Sequence, residues 1–197
     1  MFLRKAVFVL AIFGACMNAP SVPQVSILES LEPVSYYDQN PTAALPIESL
    51  FSFVTSENGM RGRGFIANNH IYSASHLYDE AFSDLDHDII NLGTSPIKGG
   101  TIGLTELSKN DSLYYWVTDR GLTPLRIVLV TELTYTVICR PNLGKIIPGD
   151  SGSPVYNIKG EIVGIISSIW IGSNGSIGNI ERFLEEDLKY TAPSSNG

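Results

Sequence analysis

Cysteine is almost absent from this chain: two in 197 residues, Cys16 and Cys139. Cys16 falls at the end of an N-terminal apolar run, so the body holds one thiol and no internal disulfide can staple it. Cys139 ends the apolar stretch Thr136-Val137-Ile138-Cys139 and reads as a buried strand residue rather than a nucleophile. The N-terminal run, Ala6 to Ala15, is too short to cross a bilayer. Positive charge is also scarce, with 13 Lys and Arg against 20 Asp and Glu and a net charge of −7. Its one cluster is Arg61 to Arg63, so the electrostatic footprint of a nucleic-acid binder is missing. There is no His, Cys and carboxylate spacing suited to a metal and no glycine-rich loop of the phosphate-cradling kind. Neither a metal nor a cofactor is expected.

What the chain does have is punctuation. Gly 18 and Pro 11 amid 44% hydrophobic residues suit many short strands, and the length suits one catalytic unit or two small packed barrels. Met1 to Lys5 carries two positive charges ahead of the apolar run, which gives residues 1–15 the pattern of a secretory signal. Phe13-Gly14-Ala15-Cys16 is similar to a bacterial lipoprotein cleavage site. The open alternatives are a membrane tether through a lipidated Cys16, simple secretion, and a retained anchor or a misread start. The first three imply a secreted or membrane-anchored, extracytoplasmic protein. Residues 16–47, broken by Pro20, Pro23, Pro33, Pro41 and Pro46, read as a tether or pro-segment with one early strand around Val25 to Leu28.

Strand signals then come at close intervals. Leu50 to Thr55, Gly64 to Ile66 and His70 to Ser73 form one series, punctuated by Asn58-Gly59 and Asn68-Asn69. Ser112 to Val117, Leu125 to Thr131, Thr134 to Cys139, Ser153 to Tyr156 and Glu161 to Ser168 form a second, with a tight turn at Asn157 to Gly160. Gly172 to Gly178 reads as a surface loop. Asn179 can cap a short helix with Ile180, Phe183, Leu184 and Leu188 at helical spacing, and residues 191–197 read as a tail.

The chemistry is concentrated in two segments. Gly149-Asp150-Ser151-Gly152-Ser153-Pro154-Val155-Tyr156 precedes the strand Glu161-Ile162-Val163-Gly164-Ile165-Ile166-Ser167. Its glycines permit a sharp turn that presents the Ser151 hydroxyl and aims the N–H groups of Gly149 and Ser151 at one point. Upstream, Gly64-Phe65-Ile66-Ala67-Asn68-Asn69-His70-Ile71-Tyr72-Ser73-Ala74-Ser75-His76 leads a strand pair into a small-residue turn and then a histidine. An imidazole of ordinary pKa can take a serine proton at neutral pH and return it to a leaving amine. Together these segments resemble the nucleophile and histidine segments of chymotrypsin-like and trypsin-like serine proteases, especially glutamyl-endopeptidase-like bacterial members and compact viral ones.

The resemblance covers roughly residues 48–190. It implies an all-β fold of two packed antiparallel barrels, about 48–95 and 112–178, with a short C-terminal helix. It also implies Ser151 as nucleophile, His76 as general base, and Gly149 and Ser151 as the oxyanion hole. For the third catalytic member, Asp79, Asp84, Asp86, Asp88, Asp111 and Asp119 all fall between His76 and Ser151. Asp88-Ile89-Ile90-Asn91-Leu92 resembles the family's Asp-bearing strand, so Asp88 is the choice. Relatives place two further strands between the histidine and this acid; here the gap is short, so the first barrel must be reduced, open, or completed by residues 17–46. Asp150, which in relatives pairs with a buried cation, has as candidate partners a freed N-terminal amine, Arg126 or Arg140. Lys145, Ile146, Ser167, Ser168 and Ile169 would line the substrate pocket. The expected activity is hydrolysis of a protein or peptide substrate. The rival readings are a catalytically inactive protease-like binding module and a viral self-processing protease.

Overall fold

Asparagine sets the first turn of the fold. In a computed structural model of the chain, Asn68 and Asn69 hold φ of +49° and +65°, the left-handed pair that a two-residue hairpin turn requires and that asparagine tolerates. They join β2 (Arg61–Ala67) to β3 (His70–Ala74) in antiparallel register, with Ala67 opposite His70. The structure describes residues 49–54, 60–78, 87–117, 121–139, 145–172 and 175–189, all within the unit Ser35–Gly197. The signal-like segment 1–15, Cys16, the tether 16–47 with its early strand, Arg140 and the tail 191–197 lie outside the described residues.

β1 (Leu50–Val54) and β4 (Ile89–Thr94) complete a four-stranded antiparallel sheet in the order β1-β2-β3-β4. Among the described residues no strand intervenes between β3 and β4, and the sheet stays open. The second unit is a closed barrel of β5 (Ser112–Val117), β6 (Gly121–Val130), β7 (Thr134–Cys139), β8 (Pro154–Tyr156), β9 (Ile162–Gly172) and β10 (Gly175–Arg182), in the order β10-β7-β6-β5-β8-β9. Its interior is filled by Leu113, Tyr115, Leu125, Ile127, Tyr135, Val137, Val155, Val163 and Ile166. Cys139 lies fully buried among them, the apolar role its neighbours predict.

Two expectations fail at the C-terminal end. Gly172 ends β9 and residues 175–178 are strand rather than surface loop, and no helix starts at Asn179: β10 runs from Gly175 to Arg182, pairing with β9 and β7. The strand was hidden because three successive same-face positions, Ser176, Gly178 and Ile180, include only one large apolar residue. Gly178 is small for a reason: a Cβ there would meet Ile146 Cδ1 at 2.7 Å. Closing the barrel requires β10, and that long-range pairing outweighs the local helical spacing of Ile180, Phe183 and Leu184.

The open sheet hides its apolar face against its neighbour. Phe65, Ala67, Tyr72, Ala74, Leu77 and Ile89 share one core with Tyr156, Ile162, Ile165 and Phe183. Phe183 stands edge-on to both Phe65 and Tyr72, with centroids 6.1 and 5.2 Å away. The connection between the sheets stitches this seam. Gly100 N–H donates to Ile66 O at 2.9 Å and Ile162 N–H donates to Thr101 O at 2.8 Å. Gly99, at φ +68°, lies so close to Ile66 that a Cβ would fall 2.0 Å from its carbonyl oxygen.

Candidate active site

β3 ends at buried Ala74, and the chain turns through a short 3-10 segment, Ser75–Leu77, with His76 at its centre. β4 runs antiparallel to β3, with Ala74 opposite Ile89, so the residue just before β4 meets the turn just after β3. That residue is Asp88. The short gap between His76 and Asp88 therefore suffices, because the strands flanking it are neighbours. Asp88 Oδ2 lies 2.7 Å from His76 Nδ1, and Oδ1 accepts from the Ser75 hydroxyl at 2.7 Å and from His76 N–H at 3.0 Å. Ser167 Oγ, from β9, donates to Oδ2 at 2.5 Å. Burial alone would raise the Asp88 carboxyl, but hydrogen bonds and charge from His76, with the Ser167 bond, hold it below the ordinary carboxylate range.

Ser151 sits in a turn between β7 and β8. Gly149 and Gly152 adopt φ of +95° and +82°, which a side chain would oppose. Gly152 has a second constraint, because a Cβ there would fall 2.1 Å from Arg63 O. The turn closes through Asp150 N–H to Ile147 O at 3.1 Å and Ser153 N–H to Asp150 O at 2.9 Å, and Gly152 N–H anchors it to Ile166 O at 2.8 Å. The Ser151 hydroxyl points to Ser167 O at 3.5 Å. Ser167 thus touches Ser151 through its carbonyl and Asp88 through its hydroxyl. Among the described residues, the N–H groups of Gly149 and Ser151 meet no acceptor.

Asp150 is fully buried. Among the described residues the ion pair at Asp150 is with Arg63 of β2, whose Nε stands 3.4 Å from Oδ1; the candidate Arg140 lies outside the described residues. Arg126 instead donates to Asn110 Oδ1 at 2.7 Å. β2 reaches the Ser151 turn because Arg63 N–H donates to Ser151 O at 2.8 Å.

No protein-family model and no curated protein matches the sequence. Solved structures do match it. A protease from M. tuberculosis H37Rv, Rv3671c in an inactive mutant form, aligns at a TM-score of 0.52 and 14% identity over 81% of this chain and 92% of that one. The serine protease of a human pathogenic astrovirus gives 0.54 and 16% over 76% and 98%. The HtrA-type protease AlgW, solved with a tripeptide, gives 0.50 and 16% over 73% and 60%. The chain has the chymotrypsin-like fold.

Within that fold the remaining pocket candidates separate. Lys145 is exposed, and its carbonyl accepts from the Tyr115 hydroxyl. Ile146 is fully buried in the barrel core, its N–H donating to Ser176 Oγ at 3.3 Å. Ser168 is exposed and accepts from Asn179 Nδ2 at 3.0 Å, while Ile169 packs on the barrel core. Ser167 turns its side chain to Asp88. Of the other candidate acids, Asp111 Oδ2 accepts from Ser108 N–H at 2.8 Å ahead of β5, and Asp79, Asp84, Asp86 and Asp119 lie outside the described residues.

Sequence reasoning missed three features of this region. One is the bridge made by Ser167, and the second is the reach of Arg63. The third is His87, next to Asp88, held between Glu181 Oε1 at 2.6 Å and Asp187 Oδ2 at 2.9 Å. The change at Ser167 from a run of buried apolar residues to a half-buried serine was a signal for the first. The other two pair residues far apart in the chain and left no local trace.

Proposed function

We propose that the chain is a serine endopeptidase that hydrolyses peptide bonds through an acyl-enzyme on Ser151, with His76 as general base and Asp88 as its orienting acid. The observation that carries this reading is the hydrogen-bonded chain from His76 Nδ1 through Asp88 to the Ser167 hydroxyl, and from the Ser167 carbonyl to Ser151 Oγ. With Nδ1 donating its proton to Asp88, His76 Nε2 carries the free lone pair, which is the tautomer a base needs. The Ser151 hydroxyl swings from Ser167 O toward Nε2 and attacks the peptide carbonyl as its proton passes to the imidazole. The oxyanion that forms is held by the N–H groups of Gly149 and Ser151. The imidazolium, stabilised by Asp88, then protonates the leaving amine. Water repeats the sequence on the acyl-enzyme with the roles reversed.

The structural likeness to serine proteases supports this class of substrate, a protein or peptide. Met1 to Ala15, with its paired charges and apolar run, supports an extracytoplasmic location, and Cys16 is the residue a lipid tether would use. A serine-directed fluorophosphonate probe tests the reaction. It should label the chain and leave Ser151→Ala unlabelled. Equal failure of both proteins to react, across pH 6 to 9, would favour the binding-module reading.

A further inference from the structure

An ionised carboxylate offers about four lone-pair directions and can turn about its own C–C bond until they are taken. Asp88 has its oxygens taken in pairs. Oδ2 accepts from the Ser167 hydroxyl at 2.5 Å and faces His76 Nδ1 at 2.7 Å, while Oδ1 accepts from His76 N–H at 3.0 Å and from the Ser75 hydroxyl at 2.7 Å. Ser167 reaches Asp88 from the barrel. Ser75 reaches it from the turn that leaves β3, on the side of the molecule to which Asp88 itself belongs.

Ser75 does more than fill one lone pair. It is buried, and each of its polar groups is committed. Its N–H donates to Asp88 O at 3.0 Å, its hydroxyl donates to Asp88 Oδ1, and its carbonyl accepts from Tyr78 N–H at 3.0 Å, which closes the 3-10 turn that carries His76. One residue thus holds the backbone and the side chain of Asp88 and shapes the turn beside them. An alanine there would keep the two backbone bonds and offer nothing to Oδ1, so the contribution of the hydroxyl is separable.

We propose that Ser75 is a positioning residue, whose hydroxyl pins Asp88 Oδ1 so that Oδ2 stays on His76 Nδ1, and which draws charge away from the imidazole side of the carboxylate. Its kinetic consequence rests on the protease reading above; its structural one does not. Among the described residues, the charged group facing Asp88 is His76, from the turn after β3. β9 presents a hydroxyl, and His87, next in the chain, is turned to Glu181 and Asp187. A hydrogen bond to a charged acceptor is stronger than one between neutral groups. Removing the Ser75 donor therefore loosens the carboxylate and leaves more of its charge facing the ring, which favours protonated His76.

Kinetics and probe labelling of the full chain compare Ser75→Ala and Ser75→Cys with the unmodified protein. Ser75→Ala should lower kcat and the labelling rate about 10- to 50-fold with KM within about twofold, the pattern of a group that orients the machinery rather than binding substrate. Ser75→Cys, close in size but a weak donor, should fall between the two. The acid limb of kcat/KM should move to higher pH by about half a unit in Ser75→Ala, since the base is then protonated more readily. Full activity, or a loss of rate with that limb unmoved, would overturn the proposal, because a merely structural defect lowers the rate alike at every pH. A readout independent of catalysis runs in the Ser151→Ala background. There Ser75→Ala should speed amide exchange at His76, whose N–H shares Oδ1, about fivefold or more while β6 and β7 stay protected. Unchanged exchange at His76 would sink the positioning role. If the unmodified chain never labels, the protease reading fails and the exchange result still decides whether Ser75 holds Asp88.

Discussion

The barrel Ser112–Arg182 surrounds its own core, from Leu113 and Tyr115 to Ile166 and Ile180, whereas the sheet Leu50–Thr94, among the described residues, is covered by residues it does not own. Phe65, Tyr72 and Ala74 are covered by Tyr156, Ile162, Ile165 and Phe183. A closed barrel leaves no edge and needs no lid; a four-stranded sheet with one apolar face needs both. The difference divides the site as well. His76 and Asp88 belong to the dependent sheet, and Ser151 with its turn belongs to the self-contained barrel. The proposed reaction requires that the seam between them hold, and Ser167, Arg63 and Phe183 cross that seam.

The largest expected effect comes from breaking the seam electronically without disturbing packing. Asp88→Asn keeps the shape of the side chain, but its amide can offer a donor to His76 Nδ1 and so favour the wrong tautomer. A fall in kcat of about 10⁴-fold follows, with substrate binding little changed. Steady-state kinetics on a reporter peptide checks this. Turnover within tenfold of the unmodified chain would remove Asp88 from the mechanism.

Breaking the seam by packing should separate the two regions in stability. Phe183→Ala deletes the ring shared by Phe65 and Tyr72, at an expected cost of about 3–5 kcal/mol. Amide exchange should quicken first in β2 and β3 while β6 and β7 stay protected. The reverse substitution is not symmetrical. Ile127→Ala, inside the barrel, should cost about 2–5 kcal/mol and loosen both regions together, because barrel residues cover the sheet's apolar face. Denaturant unfolding with exchange mass spectrometry reads both. Uniform loosening in Phe183→Ala would show that the sheet and the barrel are one cooperative unit.

These dependencies explain what the sequence could and could not reveal. β5 and β7 were legible to the residue, since Ser112 to Val117 and Thr134 to Cys139 carry dense β-branched and aromatic signals between turns. That Asp88 would lie beside His76 was legible because the run following it resembles the strand that bears the acid in the family. β10 was not legible: its same-face positions Ser176 and Gly178 are small to admit Ile146, so the pattern lost its alternation. The role of Phe183 was mistaken for a helix position because its partners, Phe65 and Tyr72, are distant in the chain. The Arg63 and Asp150 pair was missed for the same reason. Local pattern identifies strands and turn chemistry, while a contact that closes one sheet on another depends on the assembled fold.

The smallest expected effect concerns His87, which ties the segment before β4 to β10 and the C-terminal turn. Its ring nitrogens face Glu181 and Asp187, both largely buried, and Asp187 Oδ2 also accepts from Leu184 N–H at 2.7 Å. Burial would push the imidazole down, but hydrogen bonds and charge from Asp187 and Glu181 outweigh it and raise it from 6.5 to about 9. Tyr72, near Asp187, is pushed up to about 12, chiefly by burial, and so stays neutral throughout this range. A group whose pKa is higher folded than unfolded stabilises the fold below the unfolded value and loses that contribution as pH rises through the folded one. His87 should therefore contribute fully below about pH 6.5 and almost nothing above about pH 9, a span on the order of 3 kcal/mol before screening. Denaturant midpoints measured from pH 6 to pH 10 should fall for the unmodified chain and stay nearly level for His87→Gln, whose amide keeps a hydrogen bond without the charge. Because the pair lies on the seam, the alkaline loss should appear first as faster exchange at the start of β4. Parallel pH curves for the two proteins would mean that the imidazole is not held charged, and the sheet would then depend on the barrel through packing alone.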